Sequence, residues 1–197
     1  MLNPLMSRTP QSRKAESHDR IVEAAARAIR LRGYAGVGVA EVMKEAGLTH
    51  GGFYAHFDSR DALLVAALER AGRESVENLG KAAERHALKG HSAFRSLVES
   101  YLADDLLKSL DAGCPVAALG CDMPRQSAPV REASALRVQR LIAGIRNTLP
   151  AASQAGASVI AATLVGTLQL ARALGDNDEG RSLLATTRKA LLLQHDR

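Results

Sequence analysis

A chain of 197 residues with 46% apolar residues can bury a sizeable core, and nothing in its 24% charged residues suggests wholesale disorder. Aromatics make up only 3% and tryptophan is absent, while alanine and leucine dominate, a bias that favours helix over sheet. The net charge is +5; up to Arg60 nine basic residues stand against six acidic ones, so the first third carries +3 of it. A basic terminus of this kind suits nucleic acid and, equally, plain solubility. Two cysteines, Cys114 and Cys121, are too few for a secreted disulfide framework, and no secretory apolar segment follows Met1.

The opening MLNPLMSRTPQSRKAES is polar and broken by Pro4 and Pro10, so residues 1–16 read as a flexible basic arm. Ser17 is placed to cap a first helix whose apolar stripe is Ile21, Ala24, Ala25, Ala28 and Leu31, closed by Gly33. A short second helix runs from about Val39 to Ala46 and ends at Gly47. Thr49 is placed to cap a third short helix reaching Phe57, and Ser59 a long fourth one running towards Gly90. Short helix, glycine-containing turn, short helix is the spacing of a helix-turn-helix. In that motif the second helix presents its N-terminal residues to the major groove. Here those residues include the adjacent pair Gly51 and Gly52, which cost roughly 2 kcal/mol against alanine inside a helix. Two readings explain them: a loop between helices, or a backbone kept bare so that a duplex can approach.

A fifth helix carries Phe94, Leu97, Val98, Tyr101 and Leu102, and the following DAGCPVAALGCDMP reads as irregular or weakly helical. Pro129 opens a sixth helix to Thr148, and two C-terminal helices follow at about Ala152–Leu174 and Glu179–Leu193. The segment between Arg146 and Arg172 has no charge and is long enough in principle to span a bilayer. Ser153, Gln154, Ser158, Thr163, Thr167 and Gln169 dilute it, so it reads as a helix buried against protein. The chain therefore reads as soluble and cytoplasmic, with no membrane partner. The fold expected is all-α.

The run GYAGVGVAEVMKEAGLTHGGFYAHFDSRDALL tips the choice between the two glycine readings towards the second. It closely resembles the N-terminal DNA-binding region of TetR-family regulators: Gly33-Tyr34, Ala46-Gly47, Gly51, Tyr54 to Phe57, then Ser59-Arg60-Asp61. The resemblance covers about residues 17 to 70. It implies a helix-turn-helix domain at 17–60, joined by a long helix to an all-helical effector-binding and dimerisation domain at 61–197. By position it implies that Thr49 touches a phosphate, that His50, Gly51 and Gly52 face bases, and that Tyr54 and His56 reach phosphates. Arg60 takes the place of the usual lysine, where charge and helix dipole favour a phosphate. His50 and Tyr54 are expected to carry most direct readout, with Arg13 and Lys14 adding phosphate or minor-groove attraction. A solvated, silent His50 is the other reading. Phe53 and Phe57 are assigned to the core. One departure is plain: Val37, Gly38 and Val39 stand where the family commonly has Thr or Ser, so Gly38 must cap the second helix.

The resemblance further implies a homodimer through the last two helices, a near-palindromic operator in double-stranded DNA, and a small-molecule effector of unstated identity. No cofactor and no metal are implied. Val159, Leu164, Leu168 and Ala171 are too apolar for solvent, and Leu183, Leu184, Thr187, Ala190 and Leu191 are placed to pack with them. Candidate effector-binding residues are Leu97, Tyr101, Asp105, Cys114, Cys121, Met123 and Leu164. Asp105 either pairs with a cationic ligand or is simply solvated. The segment from Gly113 to Ala133 resembles a subgroup whose members include a repressor of an N-ethylmaleimide reductase that senses electrophiles through cysteine. Cys114 matches that position, and its other reading is a small buried apolar residue. Lys108 and Arg125 are the nearest cations to it along the chain.

An enzyme is the rival class, and a helical adaptor is the other. Gly36-Val37-Gly38 lacks a third glycine and a preceding strand, and no nucleophile elbow, P-loop or H-E-x-x-H occurs. His86 and His91 flank an expected turn and with Cys114 imitate a metal site, at a spacing that matches no known ligand pattern.

Overall fold

The computed structural model describes residues 10–196, and no strand occurs among them. Eight α-helices follow in order: α1 Pro10–Arg32, α2 Val39–Glu45, α3 Arg60–Ala87, α4 Ala93–Tyr101, α5 Pro115–Leu119, α6 Ala128–Thr148, α7 Ala157–Leu174 and α8 Asp178–His195. Short 3-10 turns lie between them, chief among them His50–Ala55.

The first helix starts earlier than expected. Residues 10–16 belong to α1, which takes Arg13 and Lys14 out of the arm and onto a helix; residues 1–9 lie outside the described ones. Proline is tolerated at a helix start, and Gln11, Arg13, Lys14, Ala15 and Glu16 are good helix formers. Ser17 is therefore internal, accepting a hydrogen bond from Arg20 at 3.4 Å instead of capping. Leu31, expected in the apolar stripe, is 49% exposed, and Ile29 takes its place in the core.

The core of the N-terminal unit is formed by Ile21, Ala25, Ile29, Val42, Met43, Phe53, Phe57 and Leu64. Gly47 ends α2 at φ +70°, where the Leu48 amide reaches the Met43 carbonyl at 2.8 Å. That left-handed residue is what turns the chain so sharply, and glycine alone adopts it without cost. Gly38 occupies the α2 N-cap as expected, and the Ser59 hydroxyl caps α3 by accepting from the Ala62 amide at 3.1 Å.

The 28-residue α3 packs against α1 in the first unit and against α4 and α6 in the second, so one rigid element serves both. Ala151–Leu174 is long and apolar enough to cross a membrane by length and composition. Here it is a 3-10 turn, Ala151–Gly156, followed by α7, whose Ile160, Ala161, Leu164, Leu168 and Ala171 are buried among α5, α6 and α8. The Thr167 hydroxyl donates to that of Thr187 at 3.3 Å, and Leu184 and Leu191 are buried as expected. Val159 and Ala190 are exposed instead, because they lie on the outward face of the α7–α8 pair.

Candidate nucleic-acid interface and ligand cavity

The residues around the turn divide cleanly into an inner and an outer set. Phe53 and Phe57 stack with ring centroids 5.7 Å apart, and His18 of α1 stacks on Phe57 at 4.8 Å. These rings anchor the turn from behind. On the outside, Thr49, His50 and Gly51 are exposed and Tyr54 is 73% exposed, its ring edge supported by Phe53 at 5.2 Å.

Gly51 is informative because nothing in the protein demands it. Its φ is not positive, and a Cβ there would meet no atom within 4 Å. At Gly52 a Cβ would make only ordinary contact, 3.6 Å from Met43 Cε. Gly51 therefore faces outward, whereas half-buried Gly52 faces Met43 of the core and not, as expected, a base.

Several expectations change at this edge. The turn is a 3-10 helix, not an α-helix, and Thr49 stands at its N-cap without a side-chain capping bond. Its backbone carbonyl closes the first turn instead, accepting from the Gly52 amide at 3.0 Å, which leaves the hydroxyl free. His56 is turned towards α1, its ring 6.1 Å from that of His18, with Nδ1 closed off from solvent. Burial, then the charges of His18 and Lys14, lower its pKa, so at neutral pH it brings no positive charge to a phosphate. Arg60 is exposed, but Nε donates to the Val37 carbonyl at 3.1 Å and another nitrogen to that of Tyr34. Its first task is to hold the loop before α2; the rest of the guanidinium faces solvent.

One cation missed by the sequence reading, Lys44, completes the edge. Lys44 on α2 is exposed, and like Arg13 and Lys14 it has no ion pair among the described residues. Lys14, His18 and His56 border one shallow recess, so the start of α1 extends the same face. Lys44 was hidden in the sequence by its acidic neighbours Glu41 and Glu45, which pair with Arg32 and Arg27 instead.

Behind this unit lies a cavity of about 290 Å³ between α3 and α4. Ser75, Leu79, Ala82 and His86 line it from α3, at helical spacing along one face. Glu99 and Tyr101 line it from α4, and Cys114 also borders it. Two of the expected effector residues, Tyr101 and Cys114, are thus brought together; Leu97 borders a smaller neighbouring cleft that also touches Cys114. The rest are elsewhere. Asp105 is exposed, in the 3-10 turn Asp104–Leu107. Cys121 is exposed beside Gln169, Met123 is buried under α6, and Leu164 is wholly buried in the core. Helical spacing correctly puts Asp105 one turn beyond Tyr101 in number, but the chain leaves α4 at Leu102, so the two do not share a face.

Burial raises the Tyr101 pKa well above the ordinary phenol value, and the adjacent Cys114 adds to this. The cation near Cys114 is Arg172 of α7, a residue that only the tertiary structure brings close. It donates to the carbonyls of Leu106 at 3.0 Å and of Ser109 and Ala112 at 3.2 Å, and burial lowers its pKa. Lys108 and Arg125 are occupied by Asp176 and Asp122.

Residues 21–67 match the N-terminal domain described as bacterial regulatory proteins, tetR family. Over 54 residues the chain is 37% identical to an uncharacterized HTH-type transcriptional regulator, YerO, of Bacillus subtilis strain 168; the match spans 27% of this chain and 19% of that protein. Among solved structures, a TetR transcriptional regulator of Chloroflexus aurantiacus superposes with a TM-score of 0.71 at 21% identity, covering 92% of this chain and 96% of that one. The reduced form of Escherichia coli NemR gives 0.68 at 20% identity, covering 88% and 95%. At these identities the likeness establishes the fold.

Proposed function

We propose that this chain is a TetR-type regulator, a homodimeric repressor released from a near-palindromic operator by a small molecule; the match of residues 21–67 to the tetR-family N-terminal domain and the shared fold support the reading. The observation that carries the DNA-binding half is the outward-facing bare backbone at Gly51, rimmed by Thr49, His50 and Tyr54 and flanked by Lys14 and Lys44. No intramolecular contact requires glycine at 51, and a duplex pressed against the turn does. The unpaired cations supply salt-dependent attraction to phosphates. The match to a DNA-binding domain at residues 21–67 favours a regulator over an enzyme.

The outward face of α7 carries Val159, Ala162, Gly166 and Leu170, and Leu193 is exposed on α8. A face this apolar, with no charge, is suited to a second copy packing against it in a four-helix arrangement. Two recognition turns would then meet half-sites about 34 Å apart. The α3–α4 cavity is close to the lower end of ordinary ligand-pocket volumes, roughly 300 Å³. Because α3 lines it and also reaches Arg60 beside the turn, a ligand that prefers one α3 position shifts the population of DNA-competent dimers.

The presence of Arg172 beside Cys114 favours a second reading, in which Cys114 senses an electrophile. Alkylation that releases operator from wild type but not from Cys114→Ser supports it; equal release from both removes it. The primary test is a gel shift with DNA flanking the chain's own gene at stated salt. Saturable, salt-sensitive binding that outcompetes random DNA is expected. No discrimination at low ionic strength would overturn the reading.

A further inference from the structure

We infer that His86, His91 and Glu99 form a binding site for one divalent transition-metal ion of the zinc type, at the joint of α3 and α4. The inference does not rest on the DNA-binding reading. His86 is in the last turn of α3, Gly90 reverses the chain at φ +74°, and His91 returns towards it just before the Ser92 cap of α4. Glu99 is two turns into α4 and faces both rings.

Both His–Glu distances match ligands on one ion, and the two imidazole nitrogens would close in on it when it binds. Glu99 Oε2 lies 3.2 Å from His86 Nδ1 and 3.3 Å from His91 Nδ1, and all three donor atoms fall within 4.8 Å of one another. Four ligands held tetrahedrally at about 2.05 Å from zinc lie about 3.3 Å apart. Hydrogen bonding is the competing explanation, but it is not satisfied. Both Nδ1 atoms are closed off from solvent and neither makes a hydrogen bond, although Oε2 is so near. Their in-plane directions therefore pass beside the oxygen rather than onto it. The two rings are nearly perpendicular, with centroids 5.3 Å apart, which lets both nitrogens approach a shared point without the rings clashing.

The charges are also divided suitably. Arg95 sits 3.6 Å from the other oxygen, Oε1, and its closer partner is Asp196 at 2.7 Å, so Oε2 is left to the histidines. Two neutral imidazoles and one carboxylate are a borderline donor set, suited to zinc, cobalt or nickel and poor for calcium or magnesium. His86 and Glu99 also line the cavity, so the fourth position opens towards it, for water or a donor atom of a ligand.

The test uses the untagged full chain, stripped with chelator and titrated with Zn²⁺ by calorimetry, with Co²⁺ absorption as a second readout. One saturable equivalent per chain is expected, with a tetrahedral Co²⁺ spectrum lacking thiolate charge transfer. His91→Ala and Glu99→Gln are each expected to weaken affinity by more than the roughly 10–100-fold that losing a mere supporting contact costs. Circular dichroism in chelator checks that the variants fold. If a variant unfolds, the Co²⁺ spectrum of the wild type decides: its absence, or a thiolate band pointing to Cys114 or Cys121, overturns the site. Substoichiometric binding, or affinity unchanged in both folded variants, overturns it equally.

Discussion

The hydroxyl of Tyr34 lies 2.9 Å from that of Ser134, across the joint between the helix-turn-helix and the helices behind it. Ser134 spends its own proton on the Val130 carbonyl at 2.7 Å, so Tyr34 is the donor. Burial raises the Tyr34 pKa, keeping the phenol neutral and the bond intact through the physiological range. Tyr34→Phe is expected to cost about 1 kcal/mol, read from urea midpoints at unchanged slope. No loss would mean the hydroxyl pair contributes nothing to holding the two units together.

A second tie across the joint is ionic. Glu74 of α3 accepts from Arg30 Nη2 at 2.8 Å and from Arg70 Nε at 2.7 Å, and Arg30 also donates to the Asp111 carbonyl. Burial alone would push the Glu74 pKa up; the two guanidiniums outweigh it and hold the carboxyl below its ordinary value. With the folded value lowered, the stabilisation is complete above the unfolded value near ~4.3 and is lost as pH falls through the folded one. Unfolding midpoints measured from ~pH 6 downwards should therefore fall less steeply for Glu74→Gln than for wild type. Parallel curves would assign the acid sensitivity to other groups.

At the recognition turn, Gly51→Ala meets no atom, so stability should hold or rise by up to ~1 kcal/mol while operator affinity drops. The opposite signs are the point of the experiment, since a merely structural glycine loses stability when replaced. Undiminished operator binding by a folded Gly51→Ala chain would place the duplex elsewhere.

Base readout and phosphate attraction separate by salt and sequence. His50→Ala and Tyr54→Phe should lower discrimination against random DNA, a good base contact being worth about 1–3 kcal/mol. Lys14→Ala should instead weaken all sequences alike and reduce the salt slope by about 1. Fluorescence anisotropy at several salt concentrations gives both quantities, and unchanged discrimination in both His50→Ala and Tyr54→Phe would refute the assignment.

Leu170 is 61% exposed in the middle of the uncharged face of α7. Leu170→Asp should convert a dimer to monomers in sedimentation without changing helix content. A variant that sediments as wild type would move the interface off this face.

The order of the helices was legible in the residues, though not that the recognition turn is 3-10, because most have their own local signal: Gly38 and Ser59 at helix starts, Gly33 and Gly47 at left-handed ends, apolar repeats between. The burial of Phe53 and Phe57 behind an exposed Tyr54 follows from the same short-range periodicity. Local pattern misled where two signals competed, as at Pro10, which reads as a breaker but opens α1. What no local pattern carries is which helices face each other. The cavity joining Tyr101 to Cys114, the Arg172 charge beside them, the Glu99 carboxylate between two histidines and the bond from Tyr34 to Ser134 all depend on packing between distant elements. Hydrogen-bonded helices are fixed within a few turns of chain; the meeting of side chains from separate helices is fixed only when the apolar faces close on one another.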